Sequence, residues 1–173
     1  MDGAPASQGN PEIGMVLIRI PCGLREKPPE VTERTLREAV EVFARRPEVL
    51  VAYLFGSYAT GRATAMSDID LAVLVSDAVS QARCLDYQIA LLGELCSVLR
   101  SDEVQIVLLN EAPPLLAYKV IVEGRTLFCR DERARIRFRV RATQRYLDTK
   151  PLRRVQAEAT ARRIREGRFG HRP

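Results

Sequence analysis

The stretch from Val49 to Val75 constrains this chain more than any other. Val49 to Phe55 (VLVAYLF) and Ile69 to Val75 (IDLAVLV) read as two β-rich strands joined by a short glycine-containing connection. The first ends on Gly56-Ser57, ten residues follow, and Asp68-Ile69-Asp70 opens the second. Two carboxylates at i and i+2 on a strand point to one face with Cα atoms roughly 6.5 Å apart, so both can reach a metal ion over the strand end. A glycine lets backbone approach a phosphate, and a serine with free amides at the start of a turn or helix offers donors to phosphate oxygens. Carboxylates, divalent metal and phosphate donors together make a site for phosphoryl or nucleotidyl transfer. The plainer reading, a turn followed by a strand start, leaves Asp70 an unpaired acid in an apolar run.

The flanking pattern supplies the rest of a fold. Thr32 to Arg46 reads as a helix, with Leu36, Ala39, Val40 and Phe43 at helical spacing, Thr32 as N-cap and Pro47 as the stop. Asp77 to Leu99 is a second helical pattern with Asp77 as its cap, Glu103 to Leu109 a third strand, Pro113 to Glu123 a helix closed by Gly124, and Arg125 to Cys129 a fourth strand. The order predicts an α+β domain, a small mixed β-sheet with packed helices. Residues 1–30 form an N-terminal extension, partly disordered, with a possible extra strand at Ile13 to Ile20. The domain itself spans 31–130, and 131–173 is a basic helical C-terminal extension.

That extension alternates arginine with apolar residues, a strand template, yet continues to Leu147 without a turn signal and is read as helix. One face then carries Ala134, Phe138, Ala142 and Tyr146, the other Ile136, Val140, Thr143 and Leu147. Pro151 is expected to break or kink it before a further helix over 156–166. The second apolar face predicts contact with another chain, either a partner protein or a copy in a homo-oligomer. Residues 130–173 carry 15 Lys/Arg against 5 Asp/Glu, a charge of +10, whereas residues 1–129 carry 12 against 17, a charge of −5. Such a tail can meet an acidic protein, an anionic substrate or nucleic acid. With only Phe138, Tyr146 and Phe169 as aromatics it offers no stacking platform, so direct nucleic-acid binding is not expected.

Composition removes other classes. The apolar runs are too short to span a membrane, the start lacks the pattern of a secretory signal, and no membrane association is expected. Four scattered cysteines without a CxxC pair and one histidine, His171, argue against a zinc site, a disulfide scaffold or a histidine-based triad and for a reducing cytoplasm.

The GS, ten residues, DxD stretch (Gly56, Ser57, Asp68, Asp70) resembles the signature of the DNA polymerase β-like nucleotidyltransferase superfamily. The small size, the segment Asn110 to Asp131 and the ending YLDTKPLRR…RIREGRFG are similar to the minimal nucleotidyltransferase (MNT) antitoxins that act beside HEPN-domain toxins. The resemblance implies that Gly56 and Ser57 hold a nucleoside triphosphate and that Asp68 and Asp70 bind Mg2+. It implies AMP transfer from ATP to a hydroxyl, a tyrosine of a HEPN ribonuclease toxin. The position where many relatives carry a third carboxylate is here Gln105, a neutral amide that offers no charge to a metal or to a nucleophile's proton. Glu103, two residues earlier on the same strand face, is a candidate substitute, and Arg62, between the serine and the aspartates, a candidate triphosphate contact. Two other functions remain open: a degenerate transferase that neutralises its partner by binding, and a small-molecule transferase of the aminoglycoside-modifying kind.

Overall fold

The computed structural model describes residues 32–64, 66–79 and 84–167. The chain runs α1 (Glu33–Arg45), β1 (Val49–Phe55), α2 (Gly56–Ala59), β2 (Ile69–Val75), α3 (Cys84–Leu99), β3 (Val104–Leu108), α4 (Pro114–Glu123), β4 (Arg125–Cys129) and α5 (Glu132–Arg165). The possible strand at Ile13 to Ile20 lies outside the described residues. Thr32 caps α1 as its sequence predicts, accepting from the Thr35 amide while the Thr35 hydroxyl accepts from the Thr32 amide.

The four strands form one mixed sheet in the order β3-β2-β1-β4. β1 is antiparallel to both β2 and β4, and β2 is parallel to β3. Both sheet faces are covered. On one, α1 and α3 bring Leu36, Phe43, Leu91 and Leu95 against Leu71, Val73 and Ile106. On the other, α4 and α5 bring Ala117, Val120, Phe138 and Ala142 against Val51, Tyr53, Ala72 and Val107. Because β1 and β2 lie between two such layers, their sequences are apolar nearly throughout rather than alternating.

Two expectations need correction, and one short element is added. Asp77 does not cap α3, which starts at Cys84. Ser76 still donates to the Glu48 carbonyl, and Val79 donates back to Ser76, so this stretch finishes the β1–β2 pairing and turns. The connection after β1 holds a single helical turn, α2, which no apolar periodicity announced. Finally, Pro151 does not interrupt α5, which is one helix of 34 residues. Side chains brace the turn before it: the Thr149 hydroxyl donates to the Arg145 carbonyl, and the Arg153 guanidinium donates to the Tyr146 carbonyl while lying 4.3 Å over the Tyr146 ring.

The two stripes of α5 part company as expected. Ala134, Phe138 and Ala142 are buried and Tyr146 stacks on Tyr118, whereas Ile136, Val140 and Leu147 are exposed. Among the cysteines, Cys84 is buried, Cys96 half-buried and Cys129 exposed, so the last is no core residue and instead donates to Glu132.

Candidate active site

The site is built where β1 stops and β2 starts. Phe55, the last residue of β1, pairs with Asp70, so the antiparallel ladder carries Gly56 past the Asp70 side chain. Gly56 adopts φ +70°, and a Cβ placed on it would stand 2.0 Å from Oδ2 of Asp70. A side chain at 56 would have to push the Asp70 carboxylate aside on backbone that L residues rarely adopt. The close approach that the glycine permits is thus to Asp70 itself. Beyond it the chain makes α2 and returns: the Arg62 amide donates to the Ser57 carbonyl, the Thr64 amide to the Ser67 hydroxyl and the Ser67 amide to Thr64. This closed turn delivers the chain to Asp68.

Asp68 and Asp70 share the sheet face of Ala72 and Leu74, the face that α4 and α5 cover, while Ile69 between them is buried on the opposite side. Both carboxylates are half-exposed at the uncovered end of that face. The Asp70 carboxyl is pushed up to about 6, first by burial and second by the negative charge of Asp68. Two oxygen-rich groups on one face, with the charge of Asp70 made costlier by burial and by its neighbour, suit a hard divalent cation, which offsets that cost.

Gln105 stands at this corner too. The parallel register pairs it with Asp70, and its Nε2 donates to Oδ2 of Asp68 at 2.5 Å. The position expected for a third acid is therefore in place, filled by a donor. Glu103 is the register neighbour of Asp68, its carbonyl accepting from the Ile69 amide at 2.7 Å. Even so, no three Asp, Glu, His or Cys side chains converge on a metal position among the described residues. Arg62 is exposed on the loop after α2, and among the described residues its guanidinium makes no ion pair with Asp68 or Asp70. The Gln105–Asp68 bond was beyond sequence reasoning, since it depends on the β2–β3 register.

Residues 37–133 match the family model described as Polymerase beta, Nucleotidyltransferase, and the chain belongs to that family. Two curated relatives carry the name protein adenylyltransferase MntA. One is the protein adenylyltransferase MntA of Aphanizomenon flos-aquae, 32% identical over 112 residues, which cover 61% of this chain and 73% of the relative. Another is the protein adenylyltransferase MntA of Shewanella oneidensis, 37% identical over 82 residues, 47% of this chain and only 55% of the relative's length. Among solved structures, a toxin–antitoxin crystallised with AMP-PNP superposes with a TM-score of 0.62 at 27% identity, covering 73% of this chain and 98% of the other. The MNT antitoxin in complex with a tri-AMPylated Shewanella oneidensis HEPN toxin superposes with a TM-score of 0.59 at 25% identity, covering 75% and 98%. No described helix is long and apolar enough to cross a membrane.

Proposed function

We propose that this chain is a minimal nucleotidyltransferase antitoxin that transfers AMP from magnesium-bound ATP to a tyrosine hydroxyl of a HEPN ribonuclease toxin in the cytoplasm. The observation that carries the reading is the corner of Asp68, Asp70 and Gly56, in which the Asp70 carboxylate lies against glycine backbone at φ +70°. The names of the relatives and the AMPylated toxin bound to a structural neighbour support the acceptor class.

In this reading Asp68 and Asp70 hold the cation, and Gly56 and Ser57 border the triphosphate. When bound, magnesium supplies neutralisation of charge on the attacked phosphate and on the departing pyrophosphate. The acceptor oxygen forms a bond to the α-phosphorus, the bond to pyrophosphate breaks, and the hydroxyl proton leaves to solvent or a nearby base. The bulky anionic adduct on the toxin repels RNA phosphates, which makes AMP transfer an antidote. With ATP labelled at the α-phosphate, label is expected on the HEPN partner with the wild-type chain and none with the Asp68→Asn, Asp70→Asn double variant. Unlabelled partner with wild type refutes transfer.

Gln105 favours a second reading, neutralisation by binding alone, because among the described residues no third acidic side chain joins Asp68 and Asp70. That reading predicts full toxin neutralisation by the same double variant.

A further inference from the structure

The corner of the sheet holds two carboxylates by two different devices. Asp70 is wedged against Gly56, with no room for even a methyl group between them. Asp68 is tied across β2 and β3 by the Gln105 amide, whose partner in the strand register is Asp70. An amide donating to a carboxylate places its hydrogens, the positive end of its dipole, on the β3 side of that oxygen. A cation approaching Asp68 from that side meets those hydrogens instead of an anion. Glu103 does not remedy this, since no third acidic side chain joins the two aspartates among the described residues. Magnesium takes six oxygens at near-octahedral geometry, and one or two carboxylates with phosphate oxygens and water suffice for one ion. Two ions would have to share the same two carboxylates.

We propose that Gln105 is a positioning residue that fixes Asp68 and limits this corner to one divalent cation per bound nucleoside triphosphate. The proposal rests on the nucleotide-binding reading above and adds to it the number of cations and the residue that sets that number. It makes Gln105 a working part of the site rather than a lost acid.

The test counts cations directly, without turnover. Native mass spectrometry of the full chain with Mn2+ and a non-hydrolysable ATP analogue is expected to show one nucleotide and one Mn2+ on the wild type. Gln105→Asp and the isosteric Gln105→Glu are expected to add a second Mn2+, with circular dichroism confirming that each variant is folded. Gln105→Ala is expected to retain one Mn2+ and to bind it about tenfold more weakly by calorimetry, because Asp68 is no longer held. Two Mn2+ on the wild-type complex, or one on both acidic variants with nucleotide bound, overturns the role of Gln105 and leaves the nucleotide reading intact. Absence of bound nucleotide from every chain overturns both, and the same spectra distinguish these outcomes.

Discussion

The acid corner and the far half of α5 are opposite cases of how a side chain is held. At the corner, Gly56 lies so close to Asp70 that one added carbon meets its carboxylate, and Gln105 ties Asp68 by a hydrogen bond. Along the end of α5, Leu152 and Val155 are 60% and 62% exposed. The near half of the same helix behaves like the corner, with Phe138 only 6% exposed against the sheet. Helical backbone therefore continues past the point where packing stops, and the family match ends at residue 133, close to where α5 begins. A helix of 34 residues is about 51 Å long, and only its first half has a body to lie on. Backbone regularity carries no information about which residues matter; burial does.

The contrast can be broken or sharpened at four points. Phe138→Ala is expected to lower stability by about 3 kcal/mol in a denaturant titration, since it empties part of the layer between α5 and the sheet. Gly56→Ala is expected to reduce AMP transfer by about 100-fold, because its Cβ must displace the Asp70 carboxylate by ångströms and the backbone sits at φ +70°. Unchanged transfer in that variant would remove Asp70 from the mechanism.

Asp70 gives a smaller effect with a defined pH dependence. Its carboxyl is pushed up to about 6 in the folded chain from an ordinary value of 3.8, so between those values the folded state holds the proton more tightly than the unfolded state. The carboxyl therefore costs nothing below pH 3.8, and stability falls as the pH rises through 6. Without divalent cations, Asp70→Asn is expected to stabilise the chain by about 1 kcal/mol at pH 7, a figure reduced for the half-exposed setting, and to flatten the melting temperature between pH 4 and 6. Added Mg2+ is expected to stabilise the wild type and leave the variant unmoved. The smallest effect belongs to the far half of α5: Leu152→Ala and Val155→Ala in the isolated chain are each expected to change stability by less than about 0.5 kcal/mol. A larger loss would show that the helix end is packed in solution.

Legibility followed the same divide. β1 and β2 run over the residues their apolar runs marked, because Gly56 and Asp68 interrupt hydrophobicity where the ladder ends. Asp77 misled because a good capping residue before a helical pattern also suits a turn, and the chain was still pairing with Glu48. Pro151 misled because no local pattern announced the bonds from the Thr149 hydroxyl and the Arg153 guanidinium that brace the helix around it. At the site, the i, i+2 pair and its glycine were plain from spacing. The Gln105 bond was not, since it joins residues 37 apart through a parallel register that no local pattern encodes.

The contact between Gly56 and Asp70 also bears on how such a chain can change over generations. A side chain at 56 would meet the Asp70 carboxylate and would sit on backbone at φ +70°, so a smaller residue at 70, which has already given up the carboxylate, relieves only the first of these two obstacles. Neither can move first without loss. Position 105 is under no such lock: its side chain reaches Asp68 from a neighbouring strand, and amide and acid of equal length fill the same space. Gradual alteration of the chemistry therefore has an open route through residue 105 and a closed one through the pair.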